Sequence, residues 1–134
     1  MTDIYDKSEF QIQSTILSES KEKVMKVINI IEHCQKSIIT LNEELEDINY
    51  KIQDIVYKEK DIVYPEGKNA EEREKNLFYA LDENDDYKHY IKQKRLCKNT
   101  IDKRRIELDY FNNLLTAYKL FIRLEYIKSN ERND

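Results

Sequence analysis

The feature that most constrains this chain is a heptad pattern of apolar residues between Leu17 and Ile62. Two rows of side chains each recur every seven residues, offset by three positions: Leu17, Val24, Ile31, Ile38, Leu45 and Ile52, then Val27, Cys34, Leu41, Ile48, Ile55 and Ile62. Rows with this spacing are typical of a helix that packs lengthwise against another helix. The pattern predicts an all-α coiled-coil protein.

Composition limits the number of chain reversals. The 134 residues include one glycine and one proline, and sheet proteins need many turns that usually contain these residues. We therefore expect a single helical domain, residues 1–134, built from a few long helices. A net charge of −4 does not favour a protein that acts through its overall charge.

Three further features bear on location. The polar, acidic start does not resemble a signal peptide, and two cysteines do not make a disulfide framework. Charged residues interrupt the apolar stretch 114–127, which should not span a membrane. We expect a cytoplasmic protein without a membrane partner.

Capping signals place the helix limits. Ser8 and Asn69 each fit the start of a capping box. Pro65 and Gly67 mark the turn between the two helices that these caps begin, and Gly67 is the residue best suited to a positive φ there. The acidic stretch 82–86 begins a new helix or forms one strained turn in a continuous helix. The predicted elements are a helix about 8–61, a turn 62–69, a helix about 70–82, a break at 82–86 and a helix about 86–128.

We expect the chain to reverse at Pro65–Lys68 and form a long antiparallel hairpin. Matching the helices from that turn pairs residues whose numbers sum to about 131, so Leu41 is opposite Tyr90 and Cys34 is opposite Cys97. The acidic part of the first helix then faces part of a basic stretch of the last helix. These charges favour antiparallel over parallel pairing.

The stretch 114–127 is apolar on most sides of its helix, and one neighbouring helix cannot cover it. We therefore expect a homodimer or higher oligomer that forms a four-helix bundle. The alternative is that residues 1–16 fold back as a third helix and cover the stretch. The residues expected to make the self-association contact are Leu114, Leu115, Tyr118, Phe121, Ile122 and Leu124.

The basic stretch 88–105 has two interpretations. It complements the acids of the first helix, or it binds the phosphates of nucleic acid with Tyr87 and Tyr90 stacking on bases. The mild negative net charge favours the first interpretation. The residues of the nucleic-acid alternative are Lys88, Lys92, Lys94, Arg95, Lys98, Lys103, Arg104 and Arg105.

No stretch has the pattern of a catalytic site, and one glycine excludes a glycine-rich phosphate loop. His33 and Cys34 are adjacent and point about 100° apart on a helix, so they do not converge with His89 and Cys97 on zinc. The calcium-loop-like start at Asp82 lacks the glycine and glutamate that follow in such loops. We predict a non-enzymatic protein with no metal site and no cofactor.

The turn and helix start Gly67-Lys68-Asn69-Ala70-Glu71-Glu72-Arg73 resembles a pattern in small, uncharacterised helical proteins of phages and prophages, in which Gly-Lys-Asn-Ala-x-x-Arg opens a helix. The resemblance covers about twenty residues and implies a phage-like context, in which small helical proteins block or recruit another protein. Turn chemistry and a salt bridge from Arg73 are the structural alternative. The expected partner-binding residues are Tyr64, Lys68, Asn69, Arg73, Phe78 and Tyr79.

We therefore expect a coiled-coil protein that acts by protein–protein binding, as an inhibitor or adaptor of host machinery such as a defence system. Two alternatives stay open. One is an accessory protein for single-stranded DNA in replication or recombination. The other is an oligomeric sponge that sequesters a small ligand between its helices.

Overall fold

The computed structural model describes residues 2–133, with side chains described for residues 18–131. Helix α1 spans Thr2–Val63, a 3-10 turn spans Tyr64–Glu66, α2 spans Ala70–Glu83 and α3 spans Asp85–Asn133. Within this range only Gly67–Asn69 and Asn84 are not helical, and no strand occurs. The all-α class predicted from the heptads is confirmed.

Helix α1 begins earlier than its capping signal indicated. It starts at Thr2 and continues without interruption to Val63, so Ser8 lies inside the helix and does not cap it. The segment before Ser8 contains neither proline nor glycine, and nothing in it stops a helix. The alternative in which residues 1–16 form a separate third helix is therefore wrong. Side chains at 2–17 lie outside the described residues.

The connection between α1 and α2 differs from the predicted tight turn. Tyr64–Glu66 continue the chain as a 3-10 turn with Pro65 near its start, a position that needs no proline N–H. Gly67 is extended, with φ −83° and ψ 136°. No residue, glycine included, has a positive φ in the described chain. The expectation of a positive φ at Gly67 is wrong.

Asn84 separates α2 from α3. Its backbone is extended, with φ −83° and ψ 111°, and its N–H donates to the carbonyl of Leu81 at 3.1 Å. The structure thus has a new helix beginning at Asp85, the first of the two alternatives for the stretch 82–86.

The chain divides into two compact units, each built from parts of α1 and α3. The first combines residues up to Lys36 with those from Arg105 onward. Among its described side chains, Val27, Ile31 and Cys34 are buried, at 5%, 7% and 2% exposure. All three are heptad positions, so the apolar rows form the buried side of α1 here, as the spacing predicts.

The second unit spans Ser37–Arg104. Its α1 and α3 segments run antiparallel, because residues earlier in α1 contact residues later in the chain. Asn84 Nδ2 donates to Glu59 Oε1 at 3.0 Å, the Lys51 Nζ atom lies 5.4 Å from the Tyr90 ring centroid, and Cys97 Sγ donates to the Leu41 carbonyl at 3.3 Å.

This register differs from the predicted one. Leu41 contacts Cys97, about two helical turns beyond Tyr90, its predicted partner. In the first unit Cys34 donates to Glu107 Oε2 at 3.8 Å rather than facing Cys97. The cause is the connection. A 3-10 turn and extended residues rise about 2 and 3.3 Å per residue against 1.5 Å in an α-helix. The ten residues Lys60–Asn69 therefore cover about the same length as the 14 residues of α2, which brings Asn84 back to Glu59.

Candidate functional site

The segment 63–84, here called the tip segment, is held together by close packing between Gly67 and the first turn of α2. Gly67 is buried, and Arg73 Nε donates to its carbonyl at 3.4 Å. A Cβ atom on residue 67 would lie 2.5 Å from Arg73 Cγ and 3.1 Å from the Arg73 backbone nitrogen. Glycine is therefore required here for space and not for its dihedral freedom.

Asn69 and Glu72 cap α2. The Asn69 Oδ1 atom accepts from the Glu72 N–H at 2.8 Å, and Glu72 Oε2 accepts from the Lys68 N–H at 3.4 Å. The predicted cap at Asn69 is present. The return hydrogen bond reaches the residue before the cap, because the extended backbone at Gly67 brings that N–H within range.

A lysine and two tyrosines order the end of α1. The Lys60 Nζ atom lies 6.0 Å from the Tyr57 ring centroid and 5.7 Å from the Tyr64 ring centroid. A cation close to aromatic faces is attracted by the ring quadrupole. Tyr64 is half-buried by this arrangement, while Tyr57 stays 66% exposed.

Phe78 and Tyr79 are the exposed aromatic residues of α2. Their side chains are 67% and 55% exposed, and their rings make an edge contact with centroids 5.9 Å apart. Neither ring is covered by another element of the described chain. Large apolar side chains exposed side by side on an ordered helix are typical of a binding surface.

The six predicted tip residues thus divide by role. Asn69 and Arg73 are engaged in the turn itself, and Tyr64 packs with Lys60. The hydrogen bond from Arg73 goes to a backbone carbonyl and not to a carboxylate. All six except Tyr64 are exposed, and Lys68, Phe78 and Tyr79 are the ones whose side chains take no part in the turn.

Asn84 fixes the other end of α2. Its Oδ1 atom accepts from the Tyr87 N–H at 2.9 Å and caps α3, while its Nδ2 atom donates to Glu59 on α1. The Asn84 side chain therefore joins α3 to α1, and the Asn84 backbone N–H donates to Leu81 of α2. The sequence signalled a helix start here, but the link to Glu59 has no local signature and was missed.

The break at Asn84 opens a groove between α2 and α3 with a volume of about 360 Å³. Its apolar lining comes from Leu81, Tyr87 and Ile91, and Ile91 is 40% exposed. We call this site the basic groove. Sequence reasoning named Tyr87 as a base-stacking residue but assigned no binding role to Leu81 or Ile91. Its charged lining residues are Asp82, Lys88, Lys92 and Arg95.

Six of the eight bases in the basic stretch form none of the ion pairs with described acids of α1 that the sequence predicted. Arg104 and Arg105 make contacts of their own. The side chains of the other six bases form no ion pair with any described residue: Lys88, Lys92, Lys94, Arg95, Lys98 and Lys103. Two ion pairs lie within single helices, Lys58–Asp54 at 2.9 Å and Lys128–Glu125 at 3.8 Å. Both involve exposed cations, so they add little stability.

A second groove, of about 430 Å³, lies between α1 and α3 in the Ser37–Arg104 unit. Leu41, Glu44 and Ile48 line it from α1, and Leu96 and Cys97 line it from α3. Burial, helped by the negative charge of Glu44, raises the pKa of the Cys97 thiol. A thiol with a raised pKa carries less of the reactive thiolate at neutral pH.

The stretch 114–127 keeps much of its apolar surface exposed. Leu114, Leu115, Tyr118 and Ile122 are half-buried, and Phe121 and Leu124 are 44% and 50% exposed. Further exposed side chains surround them: Leu120, Tyr126 and Ile127. The described part of the chain therefore leaves this stretch uncovered on several sides.

Two further findings concern the described residues. They contain no cluster of three or more His, Cys, Asp or Glu side chains placed to hold a metal ion. No described helix carries an apolar stretch long enough to cross a membrane. The chain matches no protein-family model, and neither a curated protein nor a solved structure shows significant similarity to it.

Proposed function

We propose that this protein is non-enzymatic and acts by binding another protein through the tip segment. The observation that carries the proposal is the exposure of Phe78 and Tyr79 on a helix fixed at both ends. Asn69 caps one end of α2, and Asn84 ends the other and links it to α1. A binding surface that is ordered before it meets its partner loses less entropy on association.

The resemblance of the sequence 67–73 to phage and prophage proteins supports a role in a phage, as an inhibitor or adaptor of host machinery such as a defence system. Aromatic and arginine side chains supply most of the affinity at protein interfaces. Phe78 and Tyr79 are therefore the anchors, with Lys68 at the rim. Asn69 and Arg73 support the surface from within the turn.

The test compares capture of host proteins by the wild-type chain and by the Phe78→Ala, Tyr79→Ala double variant. The matched control is Tyr110→Ala, which removes a ring that is 61% exposed on α3. We expect the double variant to lose a captured protein that the control retains, with both variants folded by circular dichroism. Retention of every captured protein by the double variant would overturn the proposal.

We also propose that the chain self-associates, as a dimer that completes a four-helix bundle around the stretch 114–127. The support is the exposed apolar surface of Phe121, Leu124 and their neighbours. Burying one such side chain contributes roughly 1.5–3 kcal/mol. A twofold contact buries each one twice, once from each copy.

The second candidate function is binding of single-stranded nucleic acid along α3. It is favoured by one observation, the six basic side chains of the stretch 88–103 that form no ion pair with described residues. Phosphate binding would weaken steeply between about 50 and about 200 mM salt. Binding of a labelled oligonucleotide that is lost in Lys88→Ala, Lys92→Ala but kept in Phe78→Ala, Tyr79→Ala would favour this candidate over the tip.

A further inference from the structure

We propose that the basic groove is a docking site for a second copy of this chain, which inserts the outer face of its own α1. The contact joins the groove between α2 and α3 of one copy to an acidic and aromatic face of α1 in the other. This inference does not rest on the proposed contact through 114–127, because it uses different residues and a different kind of interaction.

The groove offers two features to an incoming helix. Its floor is apolar, with Ile91 40% exposed between Leu81 and Tyr87. Its charged lining holds three cations, Lys88, Lys92 and Arg95, against the one carboxylate of Asp82, and the cations form no ion pair within the described chain. The charged lining and the floor together favour an occupant that combines carboxylates with large apolar side chains.

The outer face of α1 has that combination. Five exposed residues of α1 follow one another at spacings of four, three, four and seven, so they share one face of the helix. We call this face the acidic face: Ile39, Glu43, Glu46, Tyr50 and Tyr57. Its apolar members are 60%, 62% and 66% exposed. Glu43 and Glu46 are exposed and form no ion pair with described residues.

The spacing identifies a helix as the partner. Side chains repeated at three and four residues form the contact surface of a helix that packs along another helix. The acidic face is thus a second contact row on α1, separate from the rows that contain Leu41 and Ile48. The cations of the groove, Lys88, Lys92 and Arg95, repeat at the same spacing.

A second copy is the partner for which both halves of the contact are present. Each copy carries one acidic face and one basic groove, so a twofold dimer makes the contact twice and leaves neither half unpaired. The pairing that sequence reasoning placed within the chain is then made between chains. This accounts for Glu43 and Glu46 on α1 and for the groove cations on α3, which form no ion pair with described residues.

The experiment is a charge exchange in the full-length chain. One variant is Glu43→Lys, Glu46→Lys and the other is Lys88→Glu, Lys92→Glu. Alone, each puts like charges at both contacts of a dimer. Mixed, they make both contacts complementary again.

By sedimentation of labelled protein at about 50 mM salt, we expect each variant to self-associate at least about tenfold more weakly than wild type. The mixture should return to within about threefold of wild type. Wild-type association should weaken at about 200 mM salt.

The matched control carries the same charge changes at exposed positions outside both surfaces. Its two variants are Glu71→Lys, Glu74→Lys and Lys23→Glu, Lys75→Glu. Equal restoration in the control mixture would show attraction by net charge alone and overturn the proposal. A charge-exchange mixture no tighter than its components, or a wild-type chain that stays monomeric at about 50 mM salt, would overturn it too. Misfolded variants cannot imitate support, because restoration requires both to be folded.

Discussion

The tip segment and the stretch 114–127 both expose aromatic side chains, but in different settings. At the tip, Asn69 accepts a hydrogen bond and Arg73 and Asn84 donate one each, and these bonds hold both ends of the helix that carries Phe78 and Tyr79. In the stretch 114–127, apolar side chains are exposed on several sides of one helix. The tip surface is ordered without a partner, whereas the apolar surface of 114–127 is removed from water only when a partner covers it.

The largest expected effect removes the apolar surface. In the variant Phe121→Asp, Leu124→Asp, we expect self-association to weaken by about 3 kcal/mol or more, because each carboxylate would be buried in both copies. Sedimentation equilibrium measures the change. The matched control is Ile106→Asp, Tyr110→Asp, at positions 69% and 61% exposed on the same helix. Equal weakening in the control would remove the distinction between 114–127 and the rest of α3.

A smaller effect, on the free energy of unfolding, is expected when Asn84 in the tip segment is replaced. Asn84→Ala loses the cap on α3 and the hydrogen bond to Glu59, so we expect the free energy of unfolding to fall by about 2 kcal/mol. Asn69→Ala loses a cap alone and should cost about 1 kcal/mol. Urea unfolding measures both. Equal losses would mean that the link between α1 and Asn84 adds nothing to stability.

The substitution Gly67→Ala tests how closely the tip segment is packed around residue 67. The added Cβ would contact Arg73 Cγ and backbone, and overpacking costs about 1–3 kcal/mol. Since the φ of −83° suits alanine, the substitution also stabilises by about 0.4–1 kcal/mol through the unfolded state. We expect a net loss of about 1 kcal/mol in urea unfolding, partly recovered in Gly67→Ala, Arg73→Ala. A stabilised Gly67→Ala variant would show that the contact yields easily.

The smallest effect is a pH dependence at Cys97. Its pKa is raised in the folded state, so the unfolded chain loses this proton at lower pH than the folded chain. Stability is therefore fully present below roughly pH 8.5, the pKa of a free thiol, and falls as pH rises from there towards the folded pKa. Unfolding in urea across this range should show a negative slope that is smaller in Cys97→Ala. An unchanged slope in Cys97→Ala would mean that titratable groups other than Cys97 cause the pH dependence of stability.

The features that could be predicted from the sequence are those with a local cause. The heptad rows gave the helical class and the buried positions Val27, Ile31 and Cys34. Asn69 was identified as a cap because capping involves residues only three apart.

The register could not be predicted, because it depends on the length covered by each residue of the connection. The proline and glycine suggested a sharp turn, while the chain instead continues through a 3-10 turn and an extended segment. That difference moved Leu41 from Tyr90 to Cys97. The basic groove was missed for another reason: its residues lie on two helices, α2 and α3, that meet at the break at Asn84.

The closeness in sequence of the tip contacts has a consequence for the order of folding. Asn69 and Glu72 are three residues apart and Gly67 and Arg73 six, whereas Cys34 and Glu107 are separated by 73. Short loops close within about 10–100 ns, while distant contacts must first overcome a larger entropy of loop closure. Pairing of α1 with α3 should therefore start near the reversal and spread outward. During synthesis, the apolar rows of α1 stay without their α3 partners until α3 has been made.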